Sequence, residues 1–460
     1  MTFSDYIDYL RSKRIGVIGF GVSNQPLVRV LLRNGCDVTV CDRRERAQLG
    51  AAGDEAAAQG AKFALGADYL EHLDFDVIFR TPGVLPIVPQ LRKAAQNGAI
   101  LTSEMEAFCN LCPCRILAIT GSDGKTTTST ITAELLRAQG YTVHLGGNIG
   151  TPLFDRIPDI RPDDFAVLEL SSFQLHSMHC APDVAIITNI SPNHLDVHPD
   201  FEDYVSAKCS IYRGQRPDGV LVLNARDAHT PRFAAEAPGS VRYFSSVGPV
   251  ENGVYCSDGV IYRAHGGEAE KLIDVSDIRI PGAHNVENYM AAFAATDGLV
   301  GQAACVQVAR SFAGVAHRME RIRELNGITF INDSIASSPT RTIAGLHALP
   351  KPPVIILGGH DKHIPFDELG DEVCLHAKAA VVVGETAQRI AAAIRGSKFY
   401  DPGKLPLVEA QDFRAAVETA YRLAQPGDTV TLSPACSSFD LFKNFAERGD
   451  TFRAIVEDLQ

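Results

Sequence analysis

Three observations make this sequence an α/β protein with mainly parallel sheets. Short apolar runs recur along the whole chain, among them RIGVIGFG at 14–21, FAVLEL at 165–170 and PPVIILGG at 352–359. Stretches of helical periodicity separate them, the alternation that builds parallel sheets through crossover helices. Several runs end in glycine turns, where the chain leaves a strand for a helix.

The elements fall into three blocks. In the first, the strand at 14–21 leads into a helix near 25–34, a second strand DVTVCDR at 37–43 and a third, FDVIFRTPG at 75–83, a doubly wound pattern. The second starts near Leu101 and carries strands at 165–170, VAIITNI at 184–190 and GVLVLN at 219–224, closing with a helix around Asn288 to Leu299. The third follows GVAHRMERIREL at 314–325, with strands ITFIND, PPVIILGG, AAVVVG and DTVTLSP. Three domains are expected: 1–103 Rossmann-like, 104–312 a central P-loop-type ATPase domain with a mainly parallel sheet, and 313–460 a C-terminal Rossmann-like domain.

Composition narrows the function classes. The chain has 460 residues, 45% hydrophobic and 21% charged, with mean hydropathy near zero, as in a soluble globular protein. A net charge of −12 argues against a nucleic-acid partner, which calls for a basic footprint. The apolar runs are far shorter than the roughly 20 residues of a membrane span. The N-terminus MTFSDYIDYLRSKR has no signal-peptide pattern, so a cytoplasmic protein without membrane insertion is expected. The 11 cysteines then read as free thiols. Cys109, Cys112 and Cys114 in FCNLCPC lack the second pair that a metal site needs and read as small fillers and loop thiols.

ITGSDGKT at 119–126 sits between the strand ILAIT and a helix. Glycines let a backbone approach an anion, and the first amides of a helix point at it. Gly121, Gly124, Lys125 and Thr126 supply the turn, the close approach, a cation for outer phosphates and a hydroxyl for Mg²⁺, in a shortened GxxGKT variant of the phosphate loop. The alternative is a helix-capping turn. Glu169 ends an apolar strand, where a charge needs compensation; Mg²⁺ would provide it, as would capping of the turn before Ser171 and Ser172. GFGVSN at 19–24, with Asp42 ending the next strand, is an incomplete dinucleotide fingerprint whose third glycine position holds Asn24. The cluster His194, Asp196 and His198 is weak taken alone, and Lys208 reads as a solvated lysine.

Taken together, GSDGKTT, GGNIGTP at 146–152, LELSSFQL at 168–175, NISPNHLD at 189–196, GAHNVEN at 282–288 and AHRME at 316–320 resemble the motifs of the Mur ligases, ATP-dependent enzymes that build the peptide stem of bacterial peptidoglycan. The resemblance covers essentially the whole chain. SPACSSFDLFKNFAERGDTF at 433–452 is similar to the family member that joins D-glutamate to UDP-N-acetylmuramoyl-L-alanine. It implies that ATP phosphorylates a substrate carboxylate and that an amine displaces the phosphate.

By this resemblance Gly121, Ser122, Asp123, Gly124, Lys125, Thr126 and Thr127 hold ATP phosphates, with His317 and Arg318 near them, while Asn285 and Asn288 contact the adenine and Asp333 the ribose. Two Mg²⁺ ions are implied, with Thr126, Glu169, His194 and Lys208 as ligands, Lys208 as a carbamate formed with CO₂. Lys125, Glu169, His194 and Lys208 are thus the catalytic set. Val22, Ser23, Asp42, Arg43, Thr81, Gly83, Asn148 and His194 are matched to the UDP-substrate, and Ser337, Lys362, Ser438, Phe439 and Phe445 to glutamate. For each phenylalanine core packing is the alternative. A monomer whose third block swings in to close the site is expected.

Two residues depart from the family pattern: Ile335 stands where many members have lysine, and Asp123 where asparagine is common. A sister ligase for another amino acid, a folate-type polyglutamate ligase and a non-catalytic nucleotide-binding protein remain as alternatives. The first block argues against the folate type, and Glu169, His194 and Lys208 together against a non-catalytic role.

Overall fold

The structure, a computed structural model, describes the whole chain except residues 193, 195, 196, 362 and 363. It forms two compact units, Met1–Phe312 and Ala313–Gln460.

The first unit holds two sheets. One is all parallel, in spatial order Lys62–Leu65, Asp37–Asp42, Arg14–Ile18, Val77–Arg80 and Ile100–Thr102. The chain reverses its winding between Arg14–Ile18 and Val77–Arg80, and such a switch point opens a crevice at the carboxyl ends of the strands. There Thr81 N donates to Ile18 O at 2.9 Å, so GFGVSN and TPG lie side by side. The three strands expected here are joined by Lys62–Leu65 and Ile100–Thr102, too short and half-exposed to give an apolar run.

The other sheet has nine strands: Glu268–Asp274, Val260–His265, Gly253–Ser257, Ser240–Ser245, Val220–Asn224, Val184–Ile187, Arg115–Thr120, Phe165–Glu169 and Val143–Gly147. Its middle is parallel and fully buried, hence the unbroken apolar runs. The last two pairings on the Glu268 side are antiparallel hairpins through Asp258-Gly259 and Gly266-Gly267, an extension missing from the parallel reading of the sequence. The closing helix runs Ala283–Ala295, several residues earlier than expected, because it starts at Gly282 (φ 103°). One core of buried side chains, among them Val17, Phe79, Phe108, Phe154 and Leu168, runs under both sheets.

The second unit is a six-stranded sheet in the order Glu320–Leu325, Ile328–Asn332, Thr429–Leu432, Val354–Leu357, Ala379–Val382 and Leu407–Glu409. All pairs are parallel except the first, so the second half of GVAHRMERIREL is an edge strand rather than a connection. Its alternating polar side chains hid it from a search for apolar runs.

Candidate active site

The loop after Arg115–Thr120 has the architecture of an anion cradle. Gly121 (φ 144°) and Gly124 (φ 78°) take conformations that side-chain-bearing residues rarely adopt. A Cβ at Gly124 would lie 2.3 Å from Asn288 Oδ1. The helix Lys125–Ala138 starts at Gly124 with no side chain capping it, which argues against a mere capping turn and leaves its first amides for a ligand. Thr126 and Thr127 are buried in its first turn. Lys125 Nζ donates to the carbonyls of Gly121 (2.9 Å) and Ser122 (2.7 Å). Ser122 Oγ is fixed by Tyr204 Oη (2.9 Å) and Ser191 O (2.9 Å). The Asp123 backbone is pinned by Thr188 and Asn189, while its residue is exposed.

Glu169 stands at the carboxyl end of the strand beside this loop, 1% exposed. Its Oε1 accepts from Asn148 Nδ2 at 2.8 Å, and its buried Oε2 has no hydrogen-bond partner among the described residues. An orphaned buried carboxylate oxygen is expensive, and a hard divalent cation is the ligand that satisfies it. The residues present therefore fit Mg²⁺. Capping of the next turn, the alternative role, falls to Ser171 and Gln174 instead.

Lys208 is 1% exposed, so the reading as a solvated lysine is overturned. The helix Phe201–Arg213 carries it under the loop, where Nζ donates to Gly121 O (2.7 Å) and Thr120 Oγ1 (3.4 Å) and lies 4.7 Å from the centre of the Tyr204 ring. Burial, with Lys125 nearby, holds its ammonium well below the usual lysine range, as a lysine that must react as a neutral amine requires.

The histidine cluster of the sequence divides. His194, at φ 56°, sets its ring 4.9 Å from Phe173, while His198 stacks on Phe173 at 5.5 Å and turns to Asp203. Asp196 lies outside the described residues. His198 Nδ1 pairs with Asp203 Oδ2 (2.6 Å) and Nε2 with Ser172 Oγ (3.0 Å); His176 Nε2 shares Asp203 (3.1 Å). This bracket ties the segment following Glu169 to the helix of Lys208.

Beside Gly124, a cavity of about 140 Å³ is lined by Asn189, Phe244, His284 and Asn288 among others. Asn288 donates to Asn285 Oδ1 (3.2 Å) and accepts from Thr128 (3.2 Å), so the two asparagines matched to ATP are joined and Asn288 lines the cavity.

At the first sheet's switch point Val22 is 77% exposed, Arg43 and Gly83 are exposed, and Ser23 precedes the helix Asn24–Arg33 without capping it. Thr81 is half-buried beside Gly19. Asp42 is buried: Oδ2 accepts from Phe20 N (2.7 Å) and Arg44 Nη2 (2.8 Å), and these donors, outweighing its burial, hold its carboxyl at about 2. Asn24, in place of the third glycine, is buried and donates to Gly19 O (2.8 Å) and Ile18 O (3.1 Å), closing the turn with a side chain. Asn148, matched to the same substrate, donates to Glu169 Oε1 (2.8 Å).

In the second unit Asp333 is buried, accepting from Ser433 Oγ (2.9 Å) and Met319 N (3.1 Å); burial raises its carboxyl to about 6. His317, buried at φ 62°, pairs with Asn332 (3.1 Å), and Arg318 follows it in the same turn. Ser337 and Ile335 are half-buried and Ser438 is buried. Phe439 is 68% and Phe445 40% exposed, so neither is a core residue. Lys362 lies outside the described residues.

Two arginines escaped the reading of the sequence. Arg80, 2% exposed, donates to Ser177 Oγ (3.0 and 2.7 Å), Phe173 O (3.1 Å), Val84 O (3.3 Å) and Thr81 O (3.4 Å), and burial lowers its guanidinium to about 10. It joins the TPG turn to the segment after Glu169. Arg448, also buried, clamps Ser437 O and Cys436 O to Ser334. Neither shows a local signal, because an arginine ending a strand or sitting in a helix is ordinarily exposed. The cysteines are free thiols, with the Cys112 and Cys114 sulfurs 3.4 Å apart.

Comparison with known proteins agrees with this geometry. The Mur ligase middle domain matches residues 119–296, and the Mur ligase glutamate ligase domain matches 317–436. The chain is 45% identical to the UDP-N-acetylmuramoylalanine–D-glutamate ligase of Acetivibrio thermocellus and 44% identical to that of Clostridium kluyveri, in each case over 99% of both chains. Solved structures of MurF from Acinetobacter baumannii (TM-score 0.57, 19% identity, 96% of this chain and 90% of that one) and of the UDP-N-acetylmuramate-alanine ligase MurC from Thermotoga maritima (0.54, 17%, 97% and 98%) share the fold. With a phosphate cradle, a carboxylate short of a partner and a buried lysine in one place, and relatives that match from end to end, this chain belongs to the Mur ligase family.

Proposed function

We propose that this protein is an ATP-dependent ligase that joins D-glutamate to UDP-N-acetylmuramoyl-L-alanine in peptidoglycan precursor synthesis. The observation that carries the reading is the set Gly121–Lys125, Glu169 and Lys208: a cradle for phosphates beside an unsatisfied carboxylate and a buried amine. Full-length relatives bearing that activity's name support the choice of substrates.

The γ-phosphoryl group of ATP passes to the substrate carboxylate, giving an acyl phosphate and ADP; the glutamate amine attacks the acyl carbon, and phosphate leaves with formation of the amide. Loop amides and Lys125 hold the β- and γ-phosphates against the charge that develops on them. Thr126, Glu169, His194 and Lys208 as its carbamate are assigned to two Mg²⁺ ions, which when bound neutralise phosphoryl oxygens. Lys208 suits carbamate formation because its burial favours the neutral amine that attacks CO₂. Asn148 orients Glu169 through its amide. Arg80 holds the TPG turn in register with the segment after Glu169.

Residues 1–103 are assigned to the UDP-substrate, 104–312 to ATP and 313–460 to glutamate. Within these, Val22, Ser23, Asp42, Arg43, Thr81 and Gly83, with Asn148 and His194 of the central domain, take the UDP-substrate, Asn285 and Asn288 the adenine, Asp333 the ribose, and Ser337, Lys362, Ser438, Phe439 and Phe445 the amino acid. A cytoplasmic monomer fits these soluble substrates, and no helix among the described residues is long and apolar enough to cross a membrane.

Phosphate release with ATP, Mg²⁺ and UDP-N-acetylmuramoyl-L-alanine tests the reading. D-glutamate is expected to stimulate it and L-glutamate not. A stimulation by another amino acid instead, or ADP formation without a new amide, would overturn it.

A further inference from the structure

Away from the phosphate cradle, the second unit brings two imidazoles and a carboxylate together on its surface. His347 lies in the last turn of the helix Pro339–Ala348, and Glu372 and His376 in the last turns of the helix Asp367–His376. The spacing of four residues puts Glu372 and His376 on one face of their helix. His347 Nε2 is 2.6 Å and His376 Nε2 3.4 Å from the same oxygen, Glu372 Oε2, and the two rings meet edge to face at 4.6 Å. All three ligand atoms fall within 4.8 Å of one another.

We propose that His347, Glu372 and His376 form a binding site for a borderline divalent cation, Zn²⁺ or Ni²⁺, separate from the Mg²⁺ chemistry of the phosphate cradle. Two neutral imidazoles and one carboxylate are the donor set these ions prefer, whereas Mg²⁺ takes oxygen ligands. Tetrahedral Zn²⁺ with bonds of about 2.0–2.2 Å holds its ligand atoms roughly 3.3–3.5 Å apart. The His376–Glu372 separation of 3.4 Å matches this, while His347 and Glu372, at a hydrogen-bond distance of 2.6 Å, must part by about 0.7–0.9 Å, a shift open to side chains 51%, 24% and 45% exposed. Both helices end at the site, and their C-terminal carbonyls carry partial negative charge that favours a cation. Three protein ligands leave a fourth position for water.

The cluster His176, Asp203 and His198 is the contrast. There the fully buried His198 has both ring nitrogens engaged, by Asp203 and Ser172, so hydrogen bonds account for the arrangement. At the surface cluster one imidazole, His347, is hydrogen-bonded to Glu372 Oε2, and the second, His376, converges on the same oxygen at 3.4 Å.

The test uses the full chain stripped with EDTA and returned to excess Mg²⁺, which occupies oxygen-ligand sites. Calorimetric titration with ZnCl₂ is expected to show one equivalent bound, with affinity falling at least tenfold in E372Q and the equivalent lost in the double variant H347N/H376N. Zinc-edge absorption of the loaded protein is expected to show imidazole and oxygen ligands without sulfur, which separates the site from the thiols. A double variant that binds Zn²⁺ like the wild type, a wild type that binds no Zn²⁺ in the presence of Mg²⁺, or sulfur in the absorption spectrum would each overturn the proposal. The spectrum decides it even where a variant fails to fold.

Discussion

Replacement of Lys208 by methionine separates what this side chain does for function from what it does for stability. No carboxylate among the described residues is paired with Lys208, and its protonated form carries a desolvation penalty of several kcal/mol. The charge-assisted bond to Gly121 O returns about 1.5–3 kcal/mol and the Tyr204 ring about 1–2 kcal/mol. Methionine fills a similar volume without the charge, and Gly121 O keeps the bond from Lys125 Nζ. We expect a net gain of about 1–3 kcal/mol near neutral pH, within the range seen when buried charges give way to apolar groups. At about 2 °C per kcal/mol for a unit of this size, the melting temperature rises by about 2–6 °C, while ligase activity is lost.

The gain has a pH signature. The folded-state value of Lys208 is depressed below 10.5, so the unfolded chain binds more protons on this group. Wild-type stability therefore climbs with pH between the two values, and the advantage of the variant shrinks by at most about 1.4 kcal/mol per pH unit. Calorimetry of both proteins in CO₂-free buffer with EDTA, between about pH 7 and about pH 10, measures it. A methionine variant less stable than wild type throughout, or a gap that widens toward alkaline pH, would refute the reasoning.

Other substitutions probe the remaining parts. Gly124→Ala forces alanine to φ 78° and sets its Cβ against Asn288, so KM for ATP should rise by about tenfold or more, read by steady-state kinetics with the UDP-substrate saturating. Glu169→Gln should lower kcat/KM by about 10²–10³ and weaken the Mg²⁺ dependence of phosphate release; an unchanged Mg²⁺ titration would remove Glu169 from the metal site. Arg80→Met strips the donors from Phe173 O, Val84 O and Thr81 O, and is expected to cost about 2–4 kcal/mol of stability in urea unfolding and to raise KM for the UDP-substrate more than for ATP. Glu104 is buried, and its carboxyl is raised from 4.5 to about 7 by burial. The folded state holds that proton longer, so this contribution to stability is lost as pH rises from 4.5 to about 7. Glu104→Gln should restore up to about 3 kcal/mol above that range, seen as a flatter stability–pH curve.

The reaction class was legible in the chain because its chemistry sits on local punctuation. ITGSDGKT announces a strand, a glycine turn and a helix start within a few residues, and the structure builds that turn with Gly121 and Gly124 at positive φ. The buried central strands were equally legible, since burial on both faces leaves unbroken apolar runs. Strands such as Lys62–Leu65 and Glu320–Leu325 were not, because half-exposed or edge strands keep polar side chains. Lys208 shows the same limit at the site: its helix looks solvated residue by residue, and only the sheet above it turns a common surface lysine into a buried amine.

Sequence by itself determined where the glycine loop of the candidate phosphate site lies, which strands are buried and which residues have the right chemistry. Tertiary structure decided which of those residues meet: Asn148 on Glu169, Asn288 behind Gly124, His198 on Asp203, and Arg80 across to Ser177. The physical reason is range. Backbone preference and periodicity act over a few residues and are written locally, whereas burial and desolvation depend on segments far apart in the chain, which no local pattern encodes.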